Sequence, residues 1–150
     1  MYEKLISELI NFGLATKEDI QGCTINEVSN LEAKYGNLPD SYRGFLLELG
    51  KGAGELMQGT DIFNRCLNDL NIDAIELLEE NEEEFELPGD AFVFSMHQGY
   101  EFLYFNLSDG DNPVVYQYVE GEGAPTMEWN SFSEFIYESL NQHIKQRKRK

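Results

Sequence analysis

Apolar residues recur every three or four positions in the first part of the chain, a spacing typical of amphipathic helices. The first stretch runs from about Tyr2 to Phe12 and stops at Gly13. The second begins at Thr24, which forms a capping box with Glu27, and stops at Gly36. The positions predicted to face inward are Leu5, Ile6, Leu9 and Ile10 in the first helix, and Ile25, Val28, Leu31 and Tyr35 in the second.

A third helix is predicted between Pro39, which suits a first helical turn, and Gly50, which suits the residue after the end. Its inward positions are Tyr42, Phe45, Leu46 and Leu49. The glycines at positions 50, 52 and 54 predict a flexible turn, and the next residues, Glu55 to Met57, predict a short strand.

A fourth amphipathic helix precedes the most acidic part of the sequence. It runs directly into a series of glutamates between positions 79 and 86. Since like charges repel at helical spacing, we expect its last turn to fray. The residues predicted to share its apolar face are Leu67, Leu70, Ala74, Ile75 and Leu78.

The pattern changes after Leu87, where aromatic and β-branched residues form short runs separated by turn residues. The runs AFVFSM, YEFLYFNL and VVYQYVE predict an antiparallel meander, with Trp129 at the end of one further strand. Ser131 and Glu134 fit a second capping box, which opens a final helix with Phe132, Phe135, Ile136 and Leu140 facing inward. This order of elements predicts an α+β fold, with a central, mostly antiparallel sheet flanked by N-terminal helices and a C-terminal helix.

Charge is distributed unevenly along the 150 residues. The 28 acidic and 11 basic residues give a net charge of −17, which disfavours nucleic acid and anionic membranes as partners. No Lys or Arg occurs between Arg65 and Lys145, so the acidity is concentrated there. Five of the basic residues fall in positions 145–150. We therefore expect one domain over residues 1–144 and a basic C-terminal tail over 145–150.

Cysteine content and hydropathy indicate a cytoplasmic protein. Cys23 and Cys66 lack the spacing of a zinc or redox motif and are predicted to be small buried hydrophobes. No apolar stretch approaches the roughly 18 residues of a membrane span. Glu3 and Glu8 do not fit a signal peptide.

Few residues offer catalytic chemistry, and His97 is the strongest candidate because it lies in a predicted turn beside Tyr100 and Glu101. The alternative, which we favour, is a hairpin residue whose imidazole bonds to local backbone groups. No second motif supplies a catalytic partner. His143 is predicted to be exposed on the last helix.

Metal and nucleotide motifs are incomplete. Asp109, Gly110 and Asp111 resemble the start of an EF-hand loop, but Pro113 takes a ligand position and Val114 replaces the required glycine. A hairpin turn is the better interpretation. No zinc spacing, dinucleotide fingerprint or P-loop occurs, so we expect neither a metal nor a cofactor.

The glutamates between positions 79 and 86 have two interpretations. They form either a solvated loop or an acidic surface that attracts a basic protein. In the sheet, most aromatic residues are expected in the core, and only outward-facing tyrosines are candidates for an interface. These are Tyr100, Tyr104, Tyr116 and Tyr118.

Two strings carry a family resemblance. Residues 38–46 read LPxxYxxFL, and residues 129–135 read WxSFxxF. Together with their order and spacing over about residues 20 to 140, they resemble the SUKH superfamily, which includes bacterial toxin-immunity proteins and fungal Smi/Knr-type cell-wall regulators. The motif residues, expected to be framework, are Glu32, Gly36, Leu38, Pro39, Tyr42, Phe45, Leu46, Trp129, Phe132 and Phe135.

The resemblance implies a non-enzymatic protein that binds and neutralises a cognate toxin. Because nuclease sites are built to hold phosphates, we hypothesise a basic nuclease as the toxin and an acidic binding surface on this chain. A regulatory scaffold of the Smi/Knr type is the alternative, and an enzyme using His97 is a third. The hypothetical toxin-binding residues are Glu79, Glu80, Glu82, Glu83, Glu84, Glu86, Asp109 and Asp111, with His97 and Tyr100 as neighbours.

Overall fold

The computed structural model describes residues 1–58, 60–63, 67 and 69–148. The α-helices in these ranges are α1 (Glu3–Asn11), α2 (Ile25–Tyr35), α3 (Asp40–Leu49), α4 (Leu70–Glu80) and α5 (Phe132–Lys148). The strands are β1 (Ile20–Gln21), β2 (Gly52–Ala53), β3 (Thr60–Asp61), β4 (Ala91–His97), β5 (Glu101–Asn106), β6 (Val115–Val119) and β7 (Thr126–Trp129).

Strands β3 to β7 form one antiparallel sheet in which sequence neighbours are also spatial neighbours. Short connections join β4 to β5, β5 to β6 and β6 to β7, as antiparallel neighbours allow, whereas α4 lies between β3 and β4. The small strands β1 and β2 pair separately. The predicted α+β fold, with a mostly antiparallel sheet and flanking helices, is confirmed.

An aromatic cluster joins α3 and α5 to the first face of the sheet. Tyr42 from α3 lies at its centre, with its ring centroid 5.1 Å from that of Phe105 and 5.2 Å from that of Phe132. Phe94 from β4 lies 5.3 Å from Phe132. Edge-to-face rings at these spacings pack densely without a polar requirement. Each of these four side chains is fully buried.

Helix α4 covers the second face. The side chain of Asn71 joins α4 to strand β4, because it donates to the Ala91 carbonyl and accepts from the Val93 N–H, at 3.0 and 2.7 Å. At the other end of the helix, Asn81 donates to the Tyr118 hydroxyl at 3.0 Å. Since both faces are covered, strand β5 reads as continuously apolar at its centre rather than alternating.

This second layer corrects one prediction about the sheet tyrosines. Tyr104 and Tyr118 do not face solvent, with exposed fractions of 3% and 0%. Tyr116 is half-buried and Tyr100 is 37% exposed, so these two remain available to a partner. No local pattern of residues indicates that α4 covers this face.

The predicted strand over Glu55 to Met57 is wrong, and the segment predicted as a glycine turn contains strand β2. Residues 54–58 form turns, and the strand lies earlier, at β2. A Cβ on Gly54 would lie 2.4 Å from the Leu14 carbonyl oxygen, and one on Gly50 would lie 2.5 Å from the Cys23 sulfur. These glycines therefore permit a close approach between the backbone and its neighbours.

Three inward-facing predictions in the helices are also wrong. Ile25 is 75% exposed at the first position of α2, Ile10 is 40% exposed at the end of α1, and Ile75 is 44% exposed on α4. Each lies at the edge of the apolar stripe of its helix. Only the middle of that stripe packs against the core. Leu67 is buried but precedes α4, which begins at Leu70.

Helix α5 extends through Lys145 and Arg147, two residues of the predicted basic tail. The Arg147 guanidinium pairs with Glu55 at 2.8 Å, next to the turn that follows α1. A domain boundary after residue 144 stays a prediction. Among the described residues, no helix combines the length and apolarity that crossing a bilayer requires.

The Cys23 prediction is confirmed. Its side chain is buried, and burial raises the pKa of its thiol to about 11. The thiolate needed for redox or nucleophilic chemistry is therefore disfavoured. Cys66 lies outside the described residues.

Candidate functional site

The glutamate run, defined here as Glu79, Glu80, Glu82, Glu83, Glu84 and Glu86, begins in the last turn of α4. That turn does not fray as predicted. The N–H of Glu83 bonds to the Leu78 carbonyl at 3.0 Å, and the N–H of Glu82 bonds to the Glu79 carbonyl at 3.1 Å. Glu82 itself has φ of 53°. These are the bonds and backbone of a Schellman motif, which stabilises a helix end despite the repulsion of its side chains.

The segment after this cap is anchored by alternate residues. Glu82, Glu84 and Glu86 are exposed, whereas Phe85 and Leu87 are half-buried and pack against the core. The Phe85 ring lies 6.4 Å from that of Tyr104. Because Phe85 and Leu87 pack against the core, the glutamates that alternate with them are left at the surface. The carboxylates are thus held at a fixed surface.

A groove of about 310 Å³ lies between α4 and this segment. Its apolar lining comes from Ile75, Leu78, Phe85 and Leu87. Three carboxylates line it as well, those of Glu79, Glu83 and Glu86. An apolar groove with acidic residues around it suits a side chain with an apolar stem and a cationic end.

His97 and Tyr100 lie on the opposite face of the sheet from the glutamate run. They flank the β4–β5 turn, as predicted, with their ring centroids 5.9 Å apart. Both line a cleft of about 520 Å³ between the sheet and α5, which we call the α5 cleft. The structure therefore does not bring these two residues together with the glutamates.

His143 also lines the α5 cleft, and the prediction that it is simply exposed is wrong. Its side chain is half-buried, and its Nε2 accepts a hydrogen bond from the Met57 N–H at 3.1 Å. Partial burial lowers the pKa of His143, although the nearby Glu55 carboxylate opposes this shift. The neutral imidazole is the form that accepts this bond.

Three carboxylates of the α5 cleft were not singled out as a group from the sequence: Glu101, Glu128 and Glu138. Neutral donors position all three. Gln117 donates to Glu101 at 2.7 Å, Thr126 to Glu128 at 2.6 Å, and the Trp129 indole to Glu138 at 2.8 Å. These residues come from β5, β7 and α5, so only the tertiary structure assembles them.

Asp109 and Asp111 lie in the connection between β5 and β6, at the end of the sheet away from His97. Both are exposed. The Asp111 carbonyl accepts a hydrogen bond from the Ser41 N–H at 2.9 Å, which ties the connection to the start of α3. The described residues contain no group of three or more His, Cys, Asp or Glu that could hold a metal ion.

The fold and the order of its motifs agree with one family comparison. The SUKH_6 family, described as SMI1-KNR4 cell-wall, matches residues 25–136, about three quarters of the chain. The chain belongs to the SMI1-KNR4 family. No curated protein matches it at a significant level.

In this SMI1-KNR4 member, the motif residue Glu32 fixes the turn between α2 and α3. Its carboxylate accepts hydrogen bonds from the Leu38 N–H, at 2.9 Å, and from the Arg43 guanidinium. Burial raises the pKa of Glu32, but these donors outweigh burial, so the net shift is downward.

The remaining motif residues of this SMI1-KNR4 member lie mostly in the core. Leu38, Pro39, Tyr42, Phe45, Leu46, Phe132 and Phe135 are buried. Gly36 ends α2 with φ of 106° and is exposed. Trp129 packs on Phe135 at 5.0 Å between ring centroids and also lines the α5 cleft. It is therefore both framework and cleft surface.

Proposed function

We propose that this SMI1-KNR4 member is an immunity protein that acts in the cytoplasm by binding and neutralising a cognate toxin. Its role is stoichiometric binding rather than catalysis. The toxin is a basic nuclease, and the glutamate run occupies the cationic groups that would otherwise hold phosphates.

This proposal rests on one observation: the protein holds the backbone of the glutamate run in place, with its carboxylates at the surface. A solvated loop needs no defined backbone, whereas Glu82 occupies a left-handed conformation in which an L side chain costs about 1–2 kcal/mol. Asn81, Phe85 and Leu87 hold the segment against the protein. A fixed array of carboxylates can match a fixed array of cations, and it attracts a basic partner over long range.

A second candidate function is a regulatory scaffold that binds proteins without a toxin. The observation in its favour is the description of the matching family, which names a cell-wall role. Co-expression with candidate toxins encoded beside this gene separates the two. Rescue of growth supports immunity, and failure to rescue any neighbouring toxin favours the scaffold.

The glutamate run is tested by reversing three of its charges, with the triple variant Glu82→Lys, Glu83→Lys and Glu84→Lys. Because electrostatic attraction raises association rates, we expect association with the toxin to slow by about tenfold or more at low salt. The dependence of this rate on salt should also weaken. Stopped-flow mixing over a series of NaCl concentrations measures both.

The matched control reverses three exposed glutamates elsewhere, Glu18, Glu122 and Glu134. It changes the net charge by the same amount. A difference between the two triple variants therefore reports where the charges lie and not how many there are. Equal slowing in the two triple variants would contradict a role for the glutamate run as a specific surface.

A further inference from the structure

An exposed apolar surface adjoins the glutamate run on α4. Ile72 and Ile75 are 52% and 44% exposed on this helix. Residues three apart in a helix are neighbours on one face, so these two side chains form an apolar strip. Ile75 also lines the groove of about 310 Å³ between α4 and the segment after it. We call the strip and the groove together the α4 groove.

The floor and walls of the α4 groove are held by the core. Leu78 is buried, and Phe85 and Leu87 are half-buried and pack against the core. The Phe85 ring lies 6.4 Å from that of Tyr104. The two walls are joined by the hydrogen bond from the Glu83 N–H to the Leu78 carbonyl, at 3.0 Å. A surface that is already ordered loses less entropy when a partner binds.

The charge around the α4 groove has one sign. Glu79, Glu83 and Glu86 line it, and none of them forms an ion pair with a residue that the structure describes. A partner that covers the apolar floor comes close to these three carboxylates. An acidic partner would be repelled there, whereas a basic partner is attracted. Charge complementarity therefore selects a partner that is both apolar and cationic.

The spacing along α4 indicates the form of this partner. Ile72, Ile75 and Glu79 follow one another at intervals of three and four residues, so they span about 10 Å of the helix. A second helix lying along α4 presents its own side chains at the same intervals. It can therefore place apolar residues on the strip and cationic residues beside the glutamates. A metal ion or a polyamine has the charge but no apolar face to match Ile72 and Ile75.

We propose that the α4 groove binds a basic amphipathic helix of a partner protein. The apolar residues of this helix cover Ile72, Ile75 and the groove floor. The stems of its Lys or Arg side chains lie against the same floor, and their charged ends reach the three carboxylates. A second copy of this chain carries the same net charge of −17, which disfavours it as the occupant. The inference rests on the proposed function in that the toxin supplies the helix.

The probe is a fluorescein-labelled peptide of about 14 residues, made of leucine and lysine with the leucines on one helical face. Two companion peptides separate the contributions. One has the same composition in a scrambled order, so its leucines do not share a face. The other has glutamate in place of each lysine. Fluorescence anisotropy measures their binding to the full-length protein at about 0.15 M NaCl. We expect the first peptide to bind at least about tenfold more tightly than either companion.

Two double variants locate the site. Ile72→Ser with Ile75→Ser removes the apolar strip and keeps every glutamate, so we expect the first peptide to bind at least about tenfold more weakly. Ile10→Ser with Ile25→Ser is the matched control, because these isoleucines are 40% and 75% exposed on α1 and α2. It should leave the affinity unchanged. All four side chains are exposed, so neither variant opens a cavity in the core.

Equal affinity for the scrambled peptide, equal affinity for the glutamate peptide, or an affinity unchanged in the groove variant would overturn the inference. Sedimentation of the protein alone tests the other occupant. A dimer that the groove variant abolishes would overturn the inference in favour of a second copy. The peptide titration uses no toxin, and the charge-reversal experiment keeps Ile72 and Ile75, so the failure of one proposal is distinguishable from the failure of the other.

Discussion

At the scale of single residues, His143 is a polar side chain with a structural role. Its Nε2 accepts from the Met57 N–H, and Met57 has φ of 56°, so the bond secures a turn whose backbone is strained. Glu55 lies close to the same imidazole and pairs with Arg147. The C-terminal part of α5 is thus attached to the turn after β2 through two neighbouring contacts.

This contact predicts a pH dependence of stability. The folded pKa of His143 is lowered, so its contribution to the free energy of unfolding is complete above the unfolded value of about 6.5. It is lost as pH falls from that value through the folded pKa, because protonation removes the acceptor. Urea unfolding between pH 7.5 and 5 measures this loss.

The variant His143→Gln is the control, because it does not titrate in this range. The stability difference between the native protein and the variant should shrink as the pH falls. A difference that stays constant from pH 7.5 to 5 would show that His143 does not change protonation on unfolding.

At the scale of elements, two local effects oppose each other at the end of α4. Repulsion among Glu79, Glu80 and Glu83 disfavours a helical end, whereas the capping bonds to Leu78 and Glu79 stabilise it. Asn81 adds a hydrogen bond to Tyr118 that only the folded sheet can supply. Tertiary contacts therefore help to keep the last turn of α4 ordered.

Glu82 gives a direct test of this balance. Glycine adopts a positive φ without strain, so Glu82→Gly should raise the free energy of unfolding by about 0.5–1 kcal/mol, after its greater entropy in the unfolded chain is subtracted. Glu84→Gly removes the same charge where φ is not positive, and it should lower stability instead. Chemical denaturation of both variants provides the comparison, and a loss of stability in Glu82→Gly would refute the cap.

At the scale of the whole molecule, the sheet separates two acidic surfaces. Helices α3 and α5 close one face around Tyr42, and α4 closes the other. The glutamate run lies on the α4 side and the α5 cleft on the other, so one partner could reach both only by extending around the edge of the sheet. The net charge of −17 is therefore distributed over surfaces with distinct shapes and chemistry.

Phe132 tests the three-layer packing. It is fully buried, and it contacts Tyr42 from α3 and Phe94 from β4. Phe132→Ala would leave a cavity where these layers meet, and we expect the free energy of unfolding to fall by about 3–5 kcal/mol. Met127→Ala is the control, because Met127 is 54% exposed, and its effect should stay within about 0.5 kcal/mol. Equal effects in the two variants would contradict the central role of this cluster.

The sequence by itself determined the order of helices α1 to α5 and of strands β4 to β7, the capping box at Thr24 and the framework residues from Leu38 to Phe135. These depend on local periodicity, cap chemistry and turn residues, which short stretches of sequence record. The sequence also shows which segment carries most of the acidic residues. It does not show the shape of the surface that they form.

Only the tertiary structure decided which apolar residues at the edges of stripes, such as Ile25 and Ile75, stay exposed, and that α4 covers Tyr104 and Tyr118. It also separated His97 from the glutamate run and joined it with His143 and Glu138 around one cleft. The physical reason is that a cleft or a buried face is formed by residues distant in sequence. The free energy of bringing them together depends on packing across the whole sheet, which no local pattern encodes.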